Sequence, residues 1–279
     1  MFAPLKILKL ENMNTGKLTF WIRRFGLMHG LDKLKYWSTK IKNASKNKRF
    51  LQQYPNVALP PDYLIFESFK LDYEKYYVGG KESAVWLKNE ISPFIDVKNV
   101  KILDWGCGPA RILRHLPEVF GANCTFFGVD YNEKSIEWCQ KHLRGIAFAK
   151  NDLAPPLPFD KDNFNVIYGI SIFTHLSAAN HTAWFDELSR VLKTDGILLL
   201  TTHGNAFKAI MTDKETAAFD NNQLVIRDNV VEGHRVFAAF HPPLFMKSLF
   251  ESSCEVLLHK PGILENWGLN QDVWILKKK

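Results

Sequence analysis

The run Val100-Lys-Ile-Leu-Asp104-Trp-Gly106-Cys107-Gly108-Pro-Ala110-Arg111 constrains the fold more than any other stretch of the chain. An apolar strand ends in an acid, and a turn of small residues leads into a helical pattern. Glycines there let the backbone take conformations closed to other residues and approach a ligand closely. A dinucleotide fold wants G-x-G-x-x-G, with a pyrophosphate on the helix N-terminus. Counting from Gly106, the third glycine should fall at residue 111, where Arg111 stands instead. Asp104 facing the turn would repel a pyrophosphate and suits a ligand with a cationic end. By themselves, Gly106 and Gly108 could also make nothing more than a tight strand–helix turn.

A strand–helix alternation starts at this run. Apolar strand patterns cover Val100–Asp104, Cys124–Val129, Ile146–Ala149, Phe164–Ile170 and Gly196–Thr202, and helical stretches cover Arg111–Phe120, Glu133–His142 and His181–Lys193. The last places Trp184, Leu188 and Leu192 at i, i+4 and i+8, one apolar face. Such alternation implies parallel β-α units, with ligands at the carboxyl ends of the strands. After Thr202, Gln223–Arg227 and His234–Phe240 read as a hairpin, Pro242–Phe250 as a helix with proline in its first turn, and Glu255–His259 and Asp272–Lys277 as two final strands. The fold class is therefore α/β, a doubly wound, mostly parallel sheet of seven strands.

Further acids stand at the ends of the next strands. Asp130, followed by Tyr131, lies 22 positions after Gly108, the usual distance to a carboxylate that holds ribose hydroxyls. Alone, it could be the N-cap of the helix that follows. Asn151-Asp152-Leu153 follows the third strand and offers an acid and an apolar residue to a purine; alone, Asp152 could be a turn residue before Pro155-Pro156. In this order the segments resemble the class I S-adenosylmethionine-dependent methyltransferases, strongly over residues 100–204 and loosely on the flanks. Leu103-Asp104-Trp-Gly106-Cys107-Gly108 looks like that family's first motif, Asp130 like its ribose-binding acid, and Asp152-Leu153 like its adenine-binding pair. Ser171-Ile-Phe-Thr-His175-Leu after the fourth strand, and Arg190-Val191-Leu192 before Asp195-Gly196, are similar to further family segments. Ala110 replaces the third glycine, and Thr194-Asp195 stands where Pro-Gly is common. The resemblance implies a Rossmann-like methyltransferase fold with S-adenosylmethionine as cofactor. It assigns donor contacts to Asp104, Gly106, Cys107, Gly108, Asp130, Tyr131, Asp152, Leu153 and Ile170.

Methyl transfer from a sulfonium needs alignment and exclusion of water, and a base only where the acceptor carries a proton. Three histidines follow strand ends: His203 and His241 are the preferred bases and His175 the third, while each could instead bond backbone in its own turn. Tyr73, Tyr76 and Tyr77 with Gly79-Gly80 are candidates for aromatic walls and a hinge over the donor, or simply for packing. No Asn/Asp-Pro-Pro-aromatic segment follows the fourth strand, as base-amino methylation would ask, and no metal site is expected. A small-molecule or glycan acceptor, methylated on oxygen or nitrogen, is left by elimination. An RNA or protein substrate held by a basic arm, or a non-catalytic binding module, are the alternatives.

Charge divides the chain. The first sixty residues hold twelve lysines and arginines against Glu11 and Asp32, so the remainder is slightly acidic although the whole carries +7. Residues 1–80 read as a basic helical arm and cap, with Phe20, Trp21, Phe25, Leu27 and Leu31 on it, and 81–279 as the methyltransferase domain, with 206–240 an insert over the acceptor side. Such an arm could dock on the domain, meet nucleic acid or touch a membrane surface. Met1–Leu10 lacks a signal-peptide pattern and no apolar run is long enough to span a bilayer. Four scattered cysteines read as reduced thiols of a cytoplasmic protein.

Overall fold

A computed structural model describes residues 28–227, 232–233, 237–265 and 268–279, with side chains outside that description at 28–32, 68 and 265. The described residues fall into two compact units, one of residues up to 57 with 61–73, the other of 58–60 with 74–279. Phe20, Trp21, Phe25, Leu27 and the Leu31 side chain, and His234 of the expected hairpin, lie outside the described residues.

In the smaller unit, helix α1 (Met28–Gln53) packs on α2 (Asp62–Phe69), which the sequence pattern missed. Asn43 and Asn47 donate side-chain N–H groups to the Leu71 carbonyl (3.2 and 2.9 Å), and Tyr73 donates its hydroxyl to Asp62 (2.6 Å).

The larger unit is built on the strands β1 (Lys101–Trp105), β2 (Thr125–Asp130), β3 (Ile146–Lys150), β4 (Phe164–Gly169), β5 (Leu192–Thr202), β8 (Cys254–Lys260) and β11 (Asp272–Lys278), in the sheet order β3-β2-β1-β4-β5-β11-β8. The first five are parallel; β11 runs antiparallel to β5 and β8. Both faces are covered. Ile197 and Leu199 enter one core with Ala84, Leu87 and Ile91 of α3 (Tyr73–Ile91) and with Ile136 and Cys139 of α5 (Glu133–His142), whereas Leu198 and Leu200 enter the other with Trp184 and Leu188 of α6 (Ala178–Val191) and Phe250 of α8 (Pro243–Phe250). The period-two alternation of a strand thus turns one continuous apolar run into two buried faces. Strand order reverses between β1 and β4, which makes their carboxyl ends the ligand crevice of such a sheet.

Several expected elements differ in detail. The turn after β1 opens into a 3-10 turn, Leu113–His115, and a short helix α4 (Leu116–Phe120), because Pro117 can occupy only the first turn of an α-helix. Leu192 caps α6 and begins β5. Tyr76 is fully buried and donates its hydroxyl to the Pro109 carbonyl (2.7 Å), while Gly79 and Gly80 lie inside α3. Gly80 packs against the Arg111 carbonyl so closely that a Cβ would overlap it. These residues therefore brace the glycine turn from behind, and a hinge has no place in the middle of a continuous helix. The insert holds α7 (Asp213–Asp220) and the antiparallel pair β6 (Val225–Arg227) and β7 (Ala238–Phe240), around a small core of Phe207, Phe219, Val225 and Phe240. A further pair, β9 (Leu264–Glu265) and β10 (Gly268–Leu269), lies between β8 and β11.

Ala110 has φ +57°, a left-handed conformation that costs an L-residue roughly 1–2 kcal/mol. Ala110→Gly should therefore leave the thermal midpoint unchanged or raise it, although Ala→Gly costs up to about 1 kcal/mol in a helix interior. A clear fall in the melting temperature would show that the lost methyl contact outweighs the relieved strain.

Candidate active site

The glycine turn hangs from β2. Gly106 and Cys107 both donate backbone N–H groups to the Val129 carbonyl (2.9 Å each), and Gly108 donates to Asp130 Oδ2 (2.8 Å). The other Asp130 oxygen accepts from the Asn132 backbone (2.7 Å), and Asn132, rather than Asp130, caps α5. Gly106 takes φ +79° and presses on Ile172, whose side chain a Cβ would overlap. Gly108 takes φ +49°, and a Cβ placed on it would meet nothing within 4 Å, so its outer side is free space.

Asp104 sits beneath this turn, beside Tyr168 in the β1–β4 register, and accepts the Tyr168 hydroxyl at 2.6 Å. Burial raises its pKa to about 7; Tyr168 opposes the shift, Asp130 adds to it, and Arg111 opposes it. A cation brought near would favour the ionised form.

In front of the turn lies an open pocket with about 440 Å³ of free space. Trp105, Trp184, Ile172 and Leu176 form its apolar floor; Asp130, Tyr131, Asn151, Asp152 and His175 supply polar groups. The Asn151 amide nitrogen donates to the Asp152 carbonyl (2.6 Å), which fixes the orientation of the amide, and its buried Oδ1 has no partner. Asp152 itself is exposed, and the Leu153 carbonyl accepts the Trp184 indole N–H (2.9 Å). Glu232 and Gly233 of the insert close one side. Tyr131 donates its hydroxyl to the Gly233 carbonyl (3.0 Å), Gly233 N–H donates to the His175 carbonyl (2.9 Å), and Glu232 accepts from Ser177 N–H (2.5 Å) and the Asn180 amide (2.8 Å).

Of the residues singled out from the sequence, Gly106, Asp130, Tyr131, Asp152, Leu153 and His175 line this pocket; Asp104, Cys107, Gly108, Ile170, His203 and His241 do not. Cys107 is buried and its thiol is pushed upward, chiefly by burial, so the thiol is not a reactive nucleophile. Ile172, two residues on from Ile170, is the residue of this segment that lines the pocket. Trp105, Asn151, Leu176, Trp184 and Gly233 are additions. Asn151 adjoins the expected pair and was legible as a polar strand-end residue; Gly233 carried no local signal.

The two preferred bases are placed elsewhere. His203 donates Nδ1–H to the Ala239 carbonyl (3.1 Å) and stacks on Phe207 at 4.0 Å, with its pKa lowered to about 4 by burial and then by His175. His241 is fully buried, with Nε2 3.0 Å from His181 Nε2. Since His181 Nδ1 faces the Ser177 carbonyl (2.7 Å) it must donate there; its Nε2 accepts from His241, which leaves His241 Nδ1 buried without a partner. Burial holds both rings below the ordinary histidine value. Through these bonds the rings tie the insert to the strand ends. Among the described residues no three His, Cys, Asp or Glu side chains are grouped as a metal site requires.

A family model described as a methyltransferase domain matches residues 96–250, more than half of the chain. The chain belongs to the S-adenosylmethionine-dependent methyltransferases. Over 170 residues it is 28% identical to a phosphoethanolamine N-methyltransferase of Plasmodium falciparum, covering 59% of this chain and 60% of that one. Over 151 residues it is 27% identical to a demethylmenaquinone methyltransferase of Lactococcus lactis, covering 50% and 58%. The chain thus spans less than two thirds of the length of these relatives. In fold it is similar to the magnesium protoporphyrin IX methyltransferase of Synechocystis solved with bound SAH (TM-score 0.52, 14% identity, 85% of this chain and 96% of that one). A Pyrococcus horikoshii protein gives TM-score 0.51 at 18% identity, covering 77% and 98%.

The residues present fit the methyl donor. The clearance over Gly108, the unpartnered Asn151 oxygen and the paired acids Asp104 and Asp130 suit a ligand with a purine edge and a cationic end. Donor affinity should rise as the pH climbs through about 7, because the cation selects ionised Asp104, and Asp104→Asn should bind more weakly with a flatter profile. Calorimetric titration across pH reads both; an equally steep profile in the variant would remove Asp104 from the account. The histidines act on stability rather than on affinity, and in the same direction with pH. Their depressed values mean that stability present above about 6.5 is lost as the pH falls through the folded-state values. The melting temperature of the protein should therefore fall more between pH about 7.5 and about 4.5 than that of His203→Gln.

Proposed function

We propose that this methyltransferase transfers the methyl group to an oxygen or nitrogen of a small metabolite, with His175 as the base on the acceptor side. One observation carries the reading. His175 is the histidine of the three that lines the pocket, and its Nδ1–H is held by the Phe237 carbonyl at 2.9 Å. A carbonyl only accepts, so Nδ1 donates to it, and Nε2 is the ring nitrogen left to take a proton. The bound donor supplies a methyl group already activated on a sulfonium. The chain then needs to align the acceptor, take its proton at His175 Nε2, and keep water out. Trp105, Trp184 and Leu176 provide a dry floor, and the Glu232-Gly233 segment narrows the mouth.

The named acceptors of several relatives agree with a small substrate: the relatives include the phosphoethanolamine enzyme, the demethylmenaquinone enzyme and a trans-aconitate 2-methyltransferase of Rhizobium rhizogenes. A glycan-type metabolite fits the same chemistry. An RNA acceptor held by the basic arm is the second reading, favoured by the twelve cations of the first sixty residues and by a tRNA (guanine-N(7)-)-methyltransferase of Dictyostelium discoideum, 27% identical over 123 residues.

The test is transfer of labelled methyl from S-adenosylmethionine into extracts separated by size. Label in the small-molecule fraction that resists ribonuclease supports the proposal; label in RNA overturns it. With the acceptor in hand, His175→Gln should lower kcat about 10²-fold or more while donor affinity holds. Unchanged kcat would dismiss His175 as the base.

A further inference from the structure

Helix α1 turns one face to α2 and leaves the opposite face open. Its inward face is set by Tyr36, Asn43, Asn47 and Phe50, the last two buried and the first in edge contact with Phe66 at 5.4 Å. At 100° per residue the opposite side carries Leu34, Trp37 and Ile41, spaced i, i+3, i+7. These three are 68%, 58% and 76% exposed and form an aligned apolar stripe, while Leu51 near the C-terminal end is exposed off that line. Single exposed apolar residues need no explanation, but an aligned aromatic and two aliphatics do.

The flanks of the stripe are cationic. Lys33 and Lys40 border one side, Lys35, Lys42 and Arg49 the other, and Lys48 continues the stripe itself. No acid lies between Lys33 and Asp62. Lys40 pairs with Asp62 and Lys46 with Asp72, both on the α2 side. Lys33, Lys35, Lys42, Lys48 and Arg49 are exposed and have no ion pair among the described residues. A helix with a narrow apolar face edged by lysines and arginines matches a surface whose outer layer is negative and whose interior is hydrocarbon.

We propose that the outer face of α1 docks on an anionic lipid surface, with Leu34, Trp37 and Ile41 entering the headgroup–acyl boundary and the flanking cations resting on the lipid phosphates. Charge complementarity alone would admit RNA as the occupant. Two aliphatic side chains gain nothing from a phosphate backbone, however, and only an apolar phase relieves their contact with water. No helix of the described residues is long and apolar enough to cross a membrane, so the contact lies in the plane of the interface.

The full-length protein is sedimented with vesicles of phosphatidylcholine mixed with phosphatidylglycerol, and with vesicles of phosphatidylcholine alone. Binding to the mixed vesicles, weak binding to the neutral ones and loss at high salt are expected. The variant L34S/W37S/I41S should lose binding at low salt, and K35Q/K42Q should bind about tenfold or more weakly. All five positions are exposed, and donor binding by each variant, measured by calorimetry, confirms an intact fold. Absence of binding to the mixed vesicles would overturn the proposal. So would binding that survives L34S/W37S/I41S, which would place the contact on another surface. A dimer that this variant splits, without vesicle binding, would assign the stripe to a second copy. Tight binding of a single-stranded RNA oligomer abolished by K35Q/K42Q, again without vesicle binding, would assign the cations to nucleic acid.

Discussion

The carboxylate of Asp130 holds the donor end of the molecule together. One oxygen binds the Gly108 N–H and the other the Asn132 N–H, while the preceding carbonyl, that of Val129, accepts from Gly106 and Cys107. Four backbone donors are thereby satisfied at the tip of a single strand. Were they left unpaired, each buried donor would cost about 1–3 kcal/mol. The glycine turn, the start of α5 and the pocket wall are all placed by this cluster. The acid that shapes the turn also borders the pocket, so a change at Asp130 disturbs the shape of the site together with any contact it makes to a ligand.

A second constraint comes from behind. Tyr76 binds the Pro109 carbonyl, Arg111 reaches the Gly79 carbonyl (3.0 Å) and Ser83 (2.9 Å), and Gly80 closes on the Arg111 backbone. The turn is thus fixed on one side by β2 and on the other by α3, and open only toward the pocket. Asp104 is buried under it in a place where an acid is costly without a cation. Its raised pKa is a store of unfavourable energy that a positively charged ligand relieves. The histidines of the roof are neutral by burial. The same low-dielectric interior therefore pushes an acid up and imidazoles down, and in both cases keeps charge out until a ligand arrives.

The roof shows how an insert far along the chain completes a site laid out by the sheet. Gly233 bridges Tyr131 and His175, which belong to different strand ends, and Glu232 accepts from the Ser177 N–H and the Asn180 amide at the start of α6. His175 and His203 bond the Phe237 and Ala239 carbonyls through their rings, and His241 N–H of the same segment donates to the His203 carbonyl. Three histidines that look alike as strand-end residues are thus separated by position, His175 at the pocket wall and His203 and His241 away from it.

Local pattern determined the alternation of strands and helices, the doubly wound class, the acid–glycine turn and the acids at the next two strand ends. These follow from side-chain period and backbone conformational need, which act over a few residues. Helix α5 over Glu133–His142 was legible to its boundaries because its apolar spacing and polar ends agree. Tertiary structure alone decided that Trp105 and Trp184 meet as a floor, that Ile172 reaches the pocket, that Asn151 keeps an unpartnered oxygen, and that His175 lines the pocket while His241 is fully buried. Those outcomes depend on packing between residues tens of positions apart. A histidine's own neighbours in the chain carry no record of which distant ring or carbonyl will cover it.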